Sequence, residues 1–461
     1  MSAGRTATAA DPRPDPLPEQ RAPRRDAYAV AAAVLLVVAA VLVGRPIQDR
    51  LRVNWPPLLA TWDPHVGPGT PAAVALAAAV VAYGPVLAVR LRWPALLAAV
   101  WATGTAWILS LALVDGWERG VAGRLTTRNE YLRSVGRFDD IPAALADFTR
   151  HILLHSPDNW PAHVAGHPPA STLTFVFLDR AGLGGGGWAA GWCVVTGATA
   201  GVAVLVAVRT LAGESLARRA APFLVLAPAA VWQGVSADAY FAAVAAWAVA
   251  CLALAVTGGP TRRSPAYAAL SGLLFGLTCY LSYGLTLFAL IGAAVLVLGR
   301  RGARERPVPR AVLFLAGLAV VPTAFTVAGF DWWEAYRLLV TRYYEGAGGV
   351  RPYGYWVWAN LACTALITGP ATAAALSRGG TALRHPATGA DRRLALLVAA
   401  ALAALLVADL SGMSKAETER IWIPFALWLL PCCAFLTRPR AWLAAQAVLA
   451  LLLNHVLLTG W

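Results

Sequence analysis

The stretch from Pro94 to Asp115, PALLAAVWATGTAWILSLALVD, is an apolar run of 21 residues followed by a carboxylate. A run of this length can cross a bilayer as an α-helix, because about 20 residues rising 1.5 Å each span about 30 Å. A polar stretch follows directly and extends to Pro169. Since it is the only long polar insertion in an apolar chain, chemistry on one side of a membrane is expected there.

The rest of the chain repeats the apolar pattern. Of its 461 residues, 58% are hydrophobic and 13% are charged, whereas soluble domains have about 25% charged residues. We predict an all-α, polytopic membrane bundle of about thirteen transmembrane helices. A disordered tail over 1–26 precedes the membrane domain over 27–461, whose external loop covers 115–186. The predicted spans lie near 27–44, 71–89, 94–114, 187–208, 220–235, 238–256, 266–281, 284–299, 311–329, 355–376, 394–409, 421–437 and 441–458.

The arginines predict the orientation. Residues 1–26 carry five arginines and five prolines, and alternate short connections are basic. The positive-inside rule therefore places the N-terminus in the cytoplasm and the acidic loop outside a cell inner (plasma) membrane. The net charge of +14 then reflects anchoring to anionic lipid headgroups. Nucleic acid is not an expected partner, because no folded polar surface carries a basic patch.

The cysteines and the loop histidines are the candidate metal ligands of this sequence. All six cysteines fall inside predicted spans, which argues against disulfides and a cysteine-based zinc site. Four loop histidines form two pairs spaced four apart, and such pairs share a helix face that can bind a metal. The second pair crosses a proline-rich turn, so solvated interfacial histidines are favoured, and a divalent metal stays open. These histidines are His151, His155, His163 and His167.

The loop closes on His167-Pro168-Pro169. Two prolines before an apolar run indicate a helix start, because proline suits the first turn. Free N–H groups and a partial positive charge at that helix N-terminus would suit a phosphate. The simpler interpretation is a plain helix start at the interface, capped by His167.

Several acids lie at the same predicted boundary. Asp115 ends a span, where partial desolvation favours a general base; it could also be a simple helix-end acid. Glu130 is the next candidate, whereas Asp139 and Asp140 resemble the N-cap of a helix. Asp238 begins a later span, where capping suffices to explain it, although it could also line a cavity.

The last external connection, Ser411 to Trp422, combines Lys415 and Arg420 with two glutamates. Two cations at the interface could hold a lipid-linked phosphate or diphosphate, or the segment could be an ordinary charged loop. Within the long loop, Asp140 through His155 predicts an amphipathic helix on the outer leaflet, because Leu145, Phe148 and Ile152 recur at helical spacing.

Together these features resemble the GT-C superfamily of polytopic membrane glycosyltransferases, especially the protein O-mannosyltransferase and aminoarabinose-transferase type. In that family a span ends in an acid, an external loop with short amphipathic helices follows, and His-Pro-Pro precedes the next helix. The stretch Pro228 to Ala239 resembles the family's span ending in an acid that opens the next helix. The likeness covers roughly 94–300. The segment Ser411 to Trp422 also looks like a stretch of actinobacterial membrane proteins of this kind.

The resemblance implies a sugar donor on a polyprenyl phosphate and a glycan, lipid or protein acceptor on the outer face. It implies a carboxylate that removes the acceptor's proton, with inversion at the sugar carbon. The expected base is Asp115, with Glu130 as orienting or alternative base; the family also allows Asp63. The expected substrate-binding residues are His167, Arg128, Asp238, Lys415 and Arg420.

Two other classes compete with a glycosyltransferase. A transporter or lipid flippase should carry charges deep within its spans and interrupt them at matching positions in two halves. Few such charges and no internal repeat are visible in this sequence. A non-catalytic envelope scaffold would tolerate neutralisation of every acid named above.

Overall fold

A computed structural model describes residues 22–257, 264–300 and 307–460, and over these residues the chain is almost entirely helical. Nine of the described helices are long and apolar enough to cross a membrane. The chain is therefore a polytopic all-α membrane protein, as predicted. These nine are Arg24–Leu51, Thr70–Arg90, Trp93–Asp115, Gly186–Ala212, Ala237–Thr257, Ser264–Leu281, Pro307–Val327, Tyr353–Arg384 and Gly389–Leu410.

In chain order the α-helices are α1 Ala22–Gly44, α2 Gln48–Leu51, α3 Thr70–Arg90, α4 Trp93–Ala112, α5 Ile141–Ala146, α6 Ala162–Gly166, α7 Ala170–Arg180, α8 Gly186–Gly197, α9 Thr199–Ala212, α10 Glu214–Val225, α11 Ala230–Gln233, α12 Ala237–Thr257, α13 Ser264–Leu281, α14 Phe288–Leu298, α15 Pro307–Val327, α16 Trp332–Glu345, α17 Ala347–Val350, α18 Tyr353–Arg384, α19 Gly389–Leu410, α20 Thr418–Ile421, α21 Ile423–Ala426 and α22 Pro439–Val456. Shorter 3₁₀ and π turns connect them at 45–47, 113–115, 118–122, 124–126, 131–138, 148–151, 283–287 and 430–435. The predicted tail falls outside the described residues as far as residue 21.

The remaining four predicted spans are shorter or less apolar than a full crossing. The run near 220–235 is divided between α10 and α11, and the run near 421–437 between α21 and a 3₁₀ turn. Prolines lie in both runs, and a proline inside a helix removes one backbone hydrogen bond. The run near 284–299 forms Tyr283–Leu298, and the last run forms α22.

The core is built around α12, which packs against α9 and α13. Alanine fills much of α12, and small residues let neighbouring helices approach closely in a membrane. The pair α13 and α15 is closer still: a Cβ on Gly272 would lie 1.9 Å from the carbonyl oxygen of Phe314. By contrast, α1 and α15 expose leucines and valines on their outer faces, as lipid-facing helices do.

A short strand pair connects the two ends of the described chain. Strand β1, Ala60–Trp62, runs antiparallel to β2, Leu457–Thr459, with Thr61 opposite Leu458. The segment over 45–70, which the sequence predicts as the first external segment, is thereby held against the end of α22. Sequence patterning did not predict this pairing.

The predicted amphipathic helix is shorter than expected. It divides into α5 and a 3₁₀ turn at Phe148–His151. Leu145, Phe148 and Ile152 are buried within the described residues, so they pack on the protein rather than lying on a leaflet. Asp140 caps α5 as predicted, since its carboxylate accepts the Ala143 N–H at 3.0 Å.

Candidate active site

A cavity of about 360 Å³ lies where the polar loop, the start of α12 and the last external connection meet. Its walls combine apolar and aromatic side chains with few polar groups, the usual character of a small-molecule site. Among the lining residues, Asp238 is the carboxylate and His167 the imidazole. The others are Gly166, Ser282, Tyr283, Gly284, Leu285, Thr286, Leu287, Tyr336, Leu339, Tyr343, Val407, Ala408, Ser411, Met413, Ser414, Ile421, Trp422 and Phe425.

His167 lies at the cavity just before Pro168 and Pro169, and α7 begins after these two prolines at Ala170. Its Nδ1 lies 2.8 Å from the carbonyl oxygen of His163 and 3.1 Å from the hydroxyl of Tyr131. A carbonyl only accepts hydrogen bonds, so Nδ1 carries the hydrogen and Nε2 keeps a lone pair. Burial lowers the pKa of His167 to about 4. The imidazole is thus neutral at pH 7 and presents an acceptor nitrogen.

Behind His167, four side chains form a buried polar chain. His163 Nδ1 lies 2.9 Å from Glu130 Oε1, and its Nε2 lies 3.3 Å from Arg420 Nη2. Guanidinium only donates, so Nε2 of His163 accepts and Nδ1 carries the hydrogen toward the carboxylate. Arg420 Nη1 then donates to Asp238 Oδ2. Two predicted acids, Glu130 and Asp238, are therefore linked through one histidine and one arginine.

Arg420 is the hub of this chain, and only 3% of its surface is exposed. Burial opposes its charge, but the carboxylates of Asp238, Glu417 and Glu130 outweigh burial and raise its pKa. Because a buried guanidinium loses its hydration, those contacts fix its position firmly. Arg420 therefore orients Asp238.

Asp238 is anchored through one of its carboxylate oxygens, because Oδ2 accepts from Arg420. Asp238 lies in the first turn of α12 and lines the cavity. A carboxylate that is anchored through one oxygen and lines a cavity is a candidate general base.

Asp115 belongs to a different cluster, and it does not line the cavity. Its Oδ2 accepts from Arg124 at 2.6 Å, and its Oδ1 lies 2.8 Å from His65 Nε2 and 3.3 Å from Arg119 Nη2. The alternative base Asp63 lies next to this cluster, 3.8 Å from Arg119. Asp115 thus joins the end of the third span to the first external segment.

The remaining predicted phosphate ligands lie outside the cavity wall. Arg128 is exposed on the polar loop. The Nζ of Lys415 is buried and donates to the carbonyl of Gly348 at 2.8 Å, and burial lowers the Lys415 pKa. Its backbone N–H donates to the hydroxyl of Tyr343 at 3.1 Å. Lys415 therefore supports the wall from behind.

Sequence reasoning missed Glu419, a fully buried carboxylate beside Arg420. Its Oε1 accepts the N–H of Leu59 at 2.8 Å, which attaches the first external segment to the last connection. Burial raises the pKa of Glu419 to about 7, and the nearby Glu417 carboxylate adds to the rise. The one signal in the sequence is the spacing of Glu417 and Glu419. Side chains two residues apart at the start of a helical turn point in different directions, so one of them can be buried while the other stays partly exposed.

Glu419→Gln should flatten the dependence of stability on pH. The folded-state pKa of about 7 exceeds the ordinary 4.5, so folding favours the protonated acid. The resulting stability is complete below pH 4.5 and is lost as pH rises through about 7, a change of about 3 kcal/mol. In detergent, the thermal midpoint of the wild type should fall over this range, and that of Glu419→Gln should not. Glu118→Gln, an exposed control, should keep the wild-type slope; an unchanged slope in Glu419→Gln would contradict this assignment.

Sequence reasoning also missed the aromatic wall of the cavity. Tyr283, Tyr336, Tyr343 and Trp422 come from three separate parts of the chain. Tyr343 accepts the Lys415 N–H, and burial raises its pKa to about 12, so its phenol proton remains available for donation. Tryptophan and tyrosine were expected near the membrane surface, but nothing in the sequence showed that these four face one space.

Metal ligation found no support among the described residues, where no group of three or more His, Cys, Asp or Glu side chains is placed to hold an ion. His151 contacts Asp147 at 2.9 Å, and His155 is exposed. The six cysteines are unpaired and at least partly buried, as their positions within spans predicted.

The described residues thus define a polytopic helical membrane protein. Beside its long loop lies a mostly apolar cavity that Asp238 and His167 line. No family model and no curated protein matches the chain. Its structure is similar to the apo oligosaccharyltransferase of Archaeoglobus fulgidus (TM-score 0.46, 13% identity, 75% of this chain and 50% of that chain). It is also similar to ArnT from Cupriavidus metallidurans in the apo state (TM-score 0.45, 16% identity, 76% and 61%) and bound to undecaprenyl phosphate (TM-score 0.43, 14% identity, 75% and 60%).

The chain spans about half the length of the oligosaccharyltransferase and about three fifths of ArnT.

Proposed function

We propose that this chain is a membrane glycosyltransferase that moves a sugar from a polyprenyl-phosphate donor to an acceptor hydroxyl on the outer face of the plasma membrane. The observation that supports this proposal most is the pairing of Asp238 and His167 on one aromatic-lined cavity. The donor class is the one implied by the resemblance around His167-Pro168-Pro169.

The cavity has the composition that such a substrate needs. Tyrosine and tryptophan rings offer flat apolar surfaces to a sugar ring, as aromatic residues do in mostly apolar ligand pockets. Leu285, Leu287 and Leu339 offer apolar contact to the first prenyl units. Its volume of about 360 Å³ suits one monosaccharide and a phosphate better than a long glycan.

The proposed reaction is a single displacement. Asp238 Oδ1 accepts the proton of the acceptor hydroxyl as that oxygen forms a bond to the anomeric carbon. The bond between the anomeric carbon and the phosphate oxygen breaks, and the phosphate leaves with the electron pair. The anomeric carbon inverts, because the acceptor attacks the face opposite the leaving group.

Neighbouring groups have supporting roles in this proposal. Arg420 holds Oδ2 so that Oδ1 keeps its direction, and neutral His167 accepts a hydrogen bond from a sugar hydroxyl through Nε2. The phenol of Tyr343 donates to the departing phosphate, where preorganised donors are most effective. Glu130 orients His163 and, through it, Arg420. Arg128 and Lys415 remain predicted phosphate ligands, and Asp115 remains the competing base.

Cysteine labelling should place the site outside the cell. Asp139→Cys, on the exposed polar loop, should react in intact cells with a membrane-impermeant maleimide. Arg392→Cys, in the exposed first turn of α19, should react only after lysis. The native cysteines are buried apart from the half-buried Cys279, so the background should be low. Labelling of Arg392→Cys but not Asp139→Cys in intact cells would contradict the proposed orientation.

A further inference from the structure

A second large groove lies at the opposite end of the helices from the candidate active site. It has a volume of about 680 Å³ and is lined by the end of α3 and the start of α22. Helix α3 has 21 residues, which corresponds to about 31 Å at 1.5 Å per residue. Its first residue, Thr70, contacts His455 near the external strand pair. The groove is therefore about one membrane thickness away from that pair.

Three arginines surround this groove: Arg90, Arg438 and Arg440. All three are exposed, and none forms an ion pair with a carboxylate of the described residues. The Nε of Arg440 donates to the carbonyl of Ala82 at 3.2 Å. Three like charges around one space repel one another, so an anion between them would be stabilised.

The carbonyl groups at the C-terminus of α3, beside the groove, already accept hydrogen bonds from Arg218. Arg218 Nη1 donates to the carbonyls of Ala88 and Leu91, each at 2.8 Å. The arginines around the groove are therefore not needed to satisfy the C-terminus of α3. The groove also opens at the start of α22, where the helix dipole adds positive potential.

The remaining walls of the groove are apolar. Pro85, Val86, Val89, Pro439 and Ala441 line it, and Val89 is 67% exposed. These residues belong to membrane-boundary segments, so their open side faces lipid. A small anion would use only the arginines, whereas a phospholipid would use both the arginines and the apolar wall.

We propose that this groove binds one anionic glycerophospholipid. Its phosphate lies among Arg90, Arg438 and Arg440, and an acyl chain lies along Val86 and Val89. The interaction is structural rather than catalytic, and it does not depend on the proposed transfer reaction. Each arginine should contribute roughly fivefold to the preference for an anionic over a zwitterionic headgroup.

Native mass spectrometry of the full-length protein tests this site. Phosphatidylglycerol should be retained about a hundredfold more tightly than phosphatidylcholine. The triple variant Arg90→Gln, Arg438→Gln, Arg440→Gln should lose that preference. These side chains are exposed, so the variant should fold; the single variant Arg90→Gln should show a loss of roughly fivefold. A matched control, Arg384→Gln, Arg392→Gln, Arg393→Gln, removes three exposed arginines from the end of α18 and the start of α19 and should bind like the wild type.

Three results would overturn the proposal. Equal retention of both lipids by the wild type would remove the headgroup site. An equal loss in the control triple variant would reduce the effect to overall charge. Competition by inorganic phosphate at lipid-like concentration would identify a free-anion site without a role for the apolar wall.

Discussion

Asp238→Asn should abolish sugar transfer, with a loss of about 10²- to 10⁴-fold if the carboxylate acts as general base. The amide keeps the size of the side chain and can still accept from Arg420, but it cannot take the acceptor's proton. The measurement is transfer of a radiolabelled sugar from a polyprenyl-phosphate donor by purified protein. Asp139→Asn, an exposed acid on the polar loop, is the matched control and should retain wild-type activity.

Asp115→Asn separates the two candidate bases. Asp115 is held by Arg124, His65 and Arg119 and does not line the cavity. Its replacement should therefore lower the free energy of unfolding, whereas the protein that still folds should transfer sugar at close to the wild-type rate. The assignment made from sequence expects the reverse: an inactive but folded Asp115→Asn. Full activity in Asp238→Asn, together with loss in folded Asp115→Asn, would overturn the assignment made from the cavity.

Folding must be checked for Asp238→Asn, because it leaves a buried guanidinium with one fewer carboxylate. Asp238→Glu provides the second test: it keeps the negative charge for Arg420 but moves the reactive oxygen by about one methylene. We expect this variant to fold and to transfer sugar slowly, since small misplacements of a catalytic group are costly. A fully active Asp238→Glu would argue against a base at this position.

Arg420→Gln should have the second largest effect, on folding. Removing one partner of a buried ion pair costs about 3–5 kcal/mol, because the other charge stays buried. In this variant Asp238 would lose its ion pair with Arg420, and His163, which contacts Glu130 on its other side, would lose its contact with the guanidinium. The thermal midpoint in detergent should fall by many degrees and the yield of monodisperse protein should drop.

Two variants make the Arg420 result specific. Arg128→Gln, an exposed arginine on the same face, should change stability by no more than about 0.5 kcal/mol. Arg420→Lys keeps the charge, but an ammonium cannot contact His163 and Asp238 at the same time as the guanidinium does. Its thermal midpoint should therefore lie between those of the wild type and Arg420→Gln. An Arg420→Gln protein as stable as the wild type would contradict the role of this residue as a hub.

The sequence predicted the helical membrane class because apolar runs of this length have few other folds available. It also predicted local features that depend on neighbouring residues alone, such as the Asp140 cap and the helix start after His167-Pro168-Pro169. The number of full-length helices was harder to predict. Short proline-containing runs such as 220–235 are as apolar as a span, yet they form broken helices inside the bundle.

The site's long-range contacts were not predictable from the same patterns. Arg420 and Asp238 are separated by 182 positions, and a single sequence carries no signal that joins them. The sequence predicted Arg420 as a phosphate ligand, with an ordinary charged loop as the alternative. Its ion pair with Asp238 was not predictable, because burial of that segment depends on Leu59 and other residues from distant parts of the chain. Asp115 was the predicted base because it ends a span, but the position of an acid along the chain does not show whether it faces the cavity.

Photo-crosslinking with a photoactivatable polyprenyl phosphate tests the central proposal most directly, because it reports where the lipid phosphate binds whatever the sugar. If the donor binds in the cavity, crosslinked peptides should come from 282–287, 336–343 and 407–425, and an excess of unlabelled polyprenyl phosphate should reduce the crosslinking. Specific crosslinks confined to the Asp115 cluster, at 60–65 and 115–124, would contradict it.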